Sequence, residues 1–211
     1  MSRKILFLDL DGTLWDERPV REAIEGTMTN EQLNVLPEIA ARVRRNLGYY
    51  TWTEVYRELG LDYPLLLAQH AGAIEPYPGV RKVLRALADD WSIWIATDGG
   101  LDYSRFKIDR LGIGPSISRV LTSDFMRTMK DDPTWWRRAL DHAGCPARDA
   151  AAVGDSLWDV TVPATLGMRA IWIQNTPQAD HLTTPPGIVC CRSFLEVPPL
   201  LGSKQSGHSS P

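Results

Sequence analysis

Ile5-Leu6-Phe7-Leu8-Asp9-Leu10-Asp11-Gly12-Thr13 decides how the rest of the chain is read. Four apolar residues in a row, ending in acid and glycine, fit a strand buried on both faces that opens into a loop at its carboxyl end. Two carboxylates stand two residues apart in that loop, and the glycine lets the chain turn sharply behind them. Similar runs recur downstream. Ser92–Ala96 leads into Thr97-Asp98-Gly99, Ala150–Val153 into Gly154-Asp155, and Ala170–Ile173 into Gln174-Asn175, while Ile188–Cys191 fits a last edge strand.

Between these runs the apolar period becomes that of helices. Val80–Leu87 has apolar residues three and four apart after a Pro78-Gly79 turn. Asp132-Pro133 opens Thr134–Ala143 with an acidic cap and a proline at the first helical position, and Gly144 closes it. Strand and helix alternate from about residue 77 onward, the pattern of a doubly wound, Rossmann-like α/β sheet of parallel strands. Such sheets carry their sites at the carboxyl ends of the strands. Residues 16–76 interrupt the alternation. Thr29 with Gln32 and Thr51 with Glu54 have capping-box spacing, and Leu36, Ile39, Ala40, Val43 and Leu47 fall on one helical face. They predict a small helical domain inserted after the first strand, over a core made of residues 1–15 and 77–201. Gly202–Pro211 is rich in Ser and Gly with nothing to bury, and is expected to be a disordered tail.

Composition removes several classes of function. A chain of 211 residues that is 44% hydrophobic and 23% charged can bury one full core and a small accessory domain. Its net charge of −3 offers no general affinity for nucleic acid or anionic membrane, so an anionic substrate must be met by local cations. Cys145, Cys190 and Cys191 are odd in number and show no metal-binding spacing, which points to a reducing cytoplasm rather than a disulfide framework. The apolar run at the N-terminus is too short for a signal core, and no later stretch is long enough to span a bilayer.

Four sites along the chain carry chemistry: Asp9-Leu10-Asp11-Gly12-Thr13, Thr97-Asp98-Gly99, Lys130 in a loop before a helix, and Gly154-Asp155 with Asp159 one turn on. In order and separation they resemble the four motifs of the haloacid dehalogenase superfamily, and the helical insertion resembles the cap of its phosphoglycolate phosphatase-like branch. Ser193–Leu201 is similar to that branch's closing segment. The resemblance implies a Mg²⁺-dependent phosphatase acting on a small phosphorylated metabolite, as a monomer or homodimer. Asp9 would attack phosphorus and form an aspartyl-phosphate. Asp11 would protonate the leaving oxygen and later deprotonate water. Thr97, Asp98, Gly99 and Lys130 would hold the phosphoryl group, with Thr97 and Lys130 also aiding catalysis. Asp9, Asp155 and the carbonyl of Asp11 would ligate the metal, with Asp159 behind them orienting waters or Lys130.

The chain departs from the family pattern in two places. Asp98 stands where asparagine is common, so its side chain either points away from the phosphoryl group or meets a donor on the substrate. Lys130 is followed by two aspartates before the proline. Taken singly, Thr97 is also a helix cap, Lys130 an exposed lysine and Asp155 an N-cap; only their combination selects the catalytic reading. Trp15 is expected to line the substrate entrance or to brace the base of the insertion, the second being favoured. Tyr49, Tyr50, Trp52 and Tyr56 are expected to pack between its helices or stack on a substrate ring. His70, His142 and His181 receive no role. A phosphomutase would use the same aspartyl-phosphate, and a non-catalytic binding protein would have no use for a nucleophile and acid at this spacing. A dehalogenase needs neither metal nor acid, which would leave Asp11 and Asp155 unexplained.

Overall fold

The structure, a computed structural model, describes residues 3–175 and 183–202. Among these, six parallel strands form one sheet in the order β3-β2-β1-β4-β5-β6. They are β1 (Lys4–Leu8), β2 (Trp91–Thr97), β3 (Arg119–Thr122), β4 (Ala150–Gly154), β5 (Arg169–Ile173) and β6 (Ile188–Cys191). The fold is therefore the Rossmann-like α/β sheet that the apolar runs predict.

Burial on both faces explains why β1 reads as a continuous apolar run. Leu6 and Leu8 join one apolar cluster, with α5 (Val80–Asp90), α6 (Leu101–Leu111) and α10 (Val197–Gly202). Ile5 and Phe7 join the cluster on the opposite face, beneath α8 (Pro133–Ala143) and α9 (Trp158–Thr165). There Phe7 meets Trp94 and Trp136 edge-on, each at 6.0 Å between ring centroids. β3 has no counterpart among the runs singled out in the sequence. It is an edge strand with Arg119 exposed and Val120 half-buried, so it offers no apolar run; the short α7 (Ser123–Met126) follows it directly.

Register positions the site. Leu8 pairs with Ile95 on one side and Val153 on the other. The loops after β1, β2 and β4 therefore leave the sheet at one level, and the motifs they carry meet.

Four helices lie between β1 and α5: α1 (Arg18–Glu25), α2 (Asn30–Leu47), α3 (Trp52–Glu58) and α4 (Tyr63–Gln69). Thr29 and Gln32 exchange backbone-to-side-chain hydrogen bonds at the start of α2, and Glu54 reaches back to Thr51 at the start of α3. Leu36, Ile39 and Val43 are buried as their spacing requires, but Leu47 at the end of that row is 39% exposed, because the helix stops there at a left-handed Gly48. Trp15, fully buried, bridges Asp11 on one side and Pro76 on the other, while Tyr77 N donates to Leu14 O at 2.9 Å. It braces the place where the chain leaves the sheet for the helices and returns. No helix among the described residues is long and apolar enough to cross a membrane. His181 and residues 203–211, most of the expected tail, lie outside the described residues.

Candidate active site

Asp9 is the first residue beyond β1, and its amide donates to Val153 O at 2.9 Å, which pins it against β4. Its buried carboxylate receives the Lys130 ammonium, with Nζ 2.5 Å from Oδ1. The same ammonium forms an ion pair with Asp159 Oδ1 at 2.6 Å and donates to Ala96 O at 3.1 Å. Thr13 Oγ1 lies 2.9 Å from Asp155 Oδ1 and 3.2 Å from Asp9 Oδ2, within donating reach of both.

Two glycines allow this crowding. A Cβ on Gly12, whose φ is +76°, would stand 2.3 Å from Asp155 Oδ2, and a Cβ on Gly154 would stand 2.5 Å from Asp159 Cβ. The glycines of the first and fourth motifs are therefore required by the approach of the two acids, besides any turn they make.

Carboxylate oxygens of Asp9, Asp155 and Asp159 lie within 4.8 Å of one another. Burial pushes Asp9 well above the usual carboxylate range, against the pull of Lys130. Burial, with the Asp159 charge adding to it, pushes Asp155 up to about 7, and burial also raises Asp159. Burial alone would lower the Lys130 pKa, but the Asp159 and Asp9 carboxylates outweigh it and hold the ammonium well above the ordinary lysine value. One ammonium cannot neutralise three carboxylates, so the cluster must hold protons or a cation. Its donors are all oxygen, the set that suits a hard divalent ion such as Mg²⁺.

Asp11 faces a different partner. Both of its oxygens accept from Lys107 Nζ of α6, at 2.9 and 2.7 Å, and Oδ1 also accepts from Trp15 Nε1 at 2.8 Å. The Lys107 ammonium is buried, 5.5 Å from the Trp15 ring centroid and 5.2 Å from that of Tyr103. The sequence reading missed this lysine, although a signal exists. Tyr103, Ser104, Lys107, Ile108 and Leu111 recur three and four apart and form the buried face of α6, so Lys107 is a charge on an apolar stripe.

The second motif lies beside the cluster. Gly99 N donates to Thr97 Oγ1 at 3.1 Å. Asp98 Oδ1 accepts from Ser123 Oγ at 2.5 Å and from Lys130 N at 2.9 Å, so this carboxylate ties the β2 loop to the lysine loop. Lys130 O accepts from Trp136 Nε1 at 2.8 Å, and Asp132 caps α8 through Thr134 N at 2.8 Å. The two aspartates before the proline thus separate: one caps the helix, and Asp131 turns to the helical insertion.

Over these groups lies a cavity of about 410 Å³. Its floor is the cluster with Asp11 and Thr97-Asp98-Gly99, and Arg44, Tyr50, Thr51 and Trp52 of the insertion form one wall. Arg44 crosses to the core, where its Nη2 donates to both Asp131 oxygens at 2.7 and 2.8 Å. Tyr50, Trp52, Tyr56, Tyr63 and Tyr103 contact one another in sequence at 5.0 to 5.9 Å, a ladder of packed rings of which Tyr50, Trp52 and Tyr103 reach the cavity.

Residues 3–167 match the haloacid dehalogenase-like hydrolase family. The phosphoglycolate phosphatase of Rhodospirillum rubrum is 26% identical across 98% of this chain and 94% of that protein. Among solved structures, a HAD phosphatase from Thermococcus onnurineus superposes with a TM-score of 0.67 at 23% identity, covering 95% of this chain and 99% of that one. L-2-haloacid dehalogenase from Xanthobacter autotrophicus superposes with a TM-score of 0.71 at 20% identity, over 94% of this chain and 98% of the other. At such identities the two superpositions establish the fold.

Proposed function

The chain belongs to the haloacid dehalogenase-like hydrolase family, and we propose that within it the protein is a magnesium-dependent phosphatase working through an aspartyl-phosphate on Asp9. The observation that carries this reading is the convergence of Asp9, Lys130, Asp155 and Asp159 beneath a cavity walled by the helical insertion. A halide leaves without a proton, so a dehalogenase would leave Asp11 without the acid role proposed for it. Similarity to phosphatases of related sequence supports the same choice.

In this reading the Asp9 carboxylate attacks phosphorus from its place at the end of β1, and the phosphoryl oxygens lie against Lys130, the Thr97 hydroxyl and the loop amides. Magnesium would be held by Asp9, Asp155 and the Asp11 carbonyl, with Asp159 behind them steering Lys130. Its charge would keep Asp9 ionised despite burial and offset the repulsion between carboxylate and phosphate. Asp11, a carboxylate paired with Lys107 in this structure, would first turn from that pair and take up a proton, then pass it to the departing oxygen and take one back from the water that releases phosphate. Asp98 has a structural part, holding the lysine loop against the phosphate loop. The helical insertion acts as a cap over the cavity. The three cysteines are free, in keeping with the reducing cytoplasm proposed as its compartment.

The direct test is inorganic phosphate release from p-nitrophenyl phosphate and a set of phosphorylated metabolites, with and without Mg²⁺. Release that is absent, or indifferent to the metal, would overturn the reading; transfer without release would favour the mutase.

Metal binding should also show a pH signature. Carboxylates whose pKa is raised on folding bind more protons folded than unfolded. The metal-free protein should therefore lose stability as pH rises from about 4 through about 7. A metal must displace those protons. The rise in Tm on adding Mg²⁺ is thus expected to be larger near about pH 8 than near about pH 5.5. Equal shifts would count against the cluster as the metal site.

Lys107 is proposed as the positioning residue for Asp11, since it donates to both carboxylate oxygens. Lys107→Met should lower kcat on an alkyl phosphate by about tenfold or more with little change in KM, and Lys107→Arg should recover part of the loss. A methionine variant with wild-type kcat would leave the lysine a packing role only.

A further inference from the structure

We infer that the leaving group of the natural substrate carries no negative charge: it is a neutral or amine-bearing alcohol rather than a hydroxy acid. This rests on the phosphatase reading above and sharpens it to a substrate class.

The argument is a census of charge around the cavity. Lys130 and Arg44 are the cationic side chains among the described residues that line it, and each is already matched. Lys130 is buried on Asp9 and Asp159, and Arg44 Nη2 donates to both oxygens of Asp131 at 2.7 and 2.8 Å. Lys107, beneath Asp11, is likewise taken up by both Asp11 oxygens. Against these stand Asp9, Asp11, Glu17, Asp98, Asp131, Asp155 and Asp159, all lining the same space. Metal and Lys130 would answer the charge of the phosphoryl group itself. The leaving group would occupy the rest of the cavity, whose lining includes Glu17, Asp131 and residues of the insertion, and where the charge of Arg44, the other cation among the described lining residues, is already balanced by Asp131.

A carboxylate bound there would compete with Asp131 for the Arg44 guanidinium and would lie beside the Asp131 charge. Like charges so placed are strongly disfavoured. A hydroxyl or an amine meets no such conflict. Tyr50, Trp52 and Trp158 also line the cavity, the last 49% exposed, and aromatic faces accept an alkyl chain or an ammonium group. The relative from Rhodospirillum rubrum is named for a substrate whose leaving group carries a carboxylate, so the inference separates this chain from it.

The test uses three esters of one size: phosphoglycolate, 2-hydroxyethyl phosphate and phosphoethanolamine, with p-nitrophenyl phosphate as control. The expected result is a kcat/KM for the hydroxyethyl and ethanolamine esters about tenfold or more above that for phosphoglycolate. Phosphoglycolate turned over as well as, or better than, the other two overturns the inference while the control still reports a phosphatase. No phosphate from any ester, the control included, overturns the phosphatase reading and this inference with it. Asp131→Asn supplies the second arm, because it removes the charge that balances Arg44. The ratio of kcat/KM for phosphoglycolate to that for hydroxyethyl phosphate should rise several-fold in this variant, and an unchanged ratio would overturn the proposed exclusion.

Discussion

An Asp9→Asn protein is expected to be folded and inactive, with turnover of p-nitrophenyl phosphate reduced by about 10⁴-fold or more. The substitution removes the nucleophilic oxygen and changes little else. The amide has nearly the same shape as the carboxylate and could still accept from Lys130, which retains Asp159 at 2.6 Å. Stability should not suffer, because burial raises the pKa of Asp9 and so makes its ionised form costly in the fold. The expected Tm of the metal-free variant is therefore equal to or above that of the wild type. The companion substitution Asp11→Asn should behave differently: phosphate can reach Asp9 but leaves slowly, so a phosphorylated protein accumulates and is visible by mass spectrometry. Asp9→Asn should give no such species. Residual full activity in Asp9→Asn, or a phosphoryl group found on it, would remove Asp9 from the centre of the reaction.

How much of this was legible in the sequence depends on how each feature is buried. β1, β2, β4 and β5 were readable because strands covered on both faces must be apolar throughout, and their acid- or hydroxyl-bearing ends stood out against that background. β3 was not, because a four-residue edge strand needs no such run. The family was readable from motifs that are local: Asp9 to Asp11 and Gly154 to Asp159 each lie within a few consecutive residues. What stayed hidden were contacts between distant parts of the chain. Nothing in the sequence pairs Lys107 with Asp11, 96 residues away, or Arg44 with Asp131, 87 residues away. Asp98 looked like a misplaced charge facing phosphate until Ser123 and the Lys130 amide were seen to hold it. Periodicity does say that Lys107 faces inward, but not that its partner is an acid of the first motif.

Lys130→Met is the substitution with the second large effect, and it separates charge from shape. Methionine fills most of the lysine's volume, so the packing under Ala96 and Trp136 should survive. The charge does not. Asp9 and Asp159, both buried, lose their common cation, and the loss in stability without metal should be about 3–5 kcal/mol. That loss must depend on pH. Without the ammonium, the two carboxylates bind protons more tightly still in the fold. The penalty is therefore full where the unfolded chain's carboxylates are ionised and the cluster's would be too, near about pH 8. It shrinks toward about pH 5, as the cluster takes up protons. Mg²⁺ should return part of the Tm, since it supplies charge to the same oxygens. Activity should not return with it and is expected to stay about 10³-fold down, because the metal replaces neither the proton donor to Asp9 nor the charge beside the phosphoryl oxygens. Recovery of both stability and turnover on adding metal would make Lys130 a counter-ion for the apoprotein and nothing more.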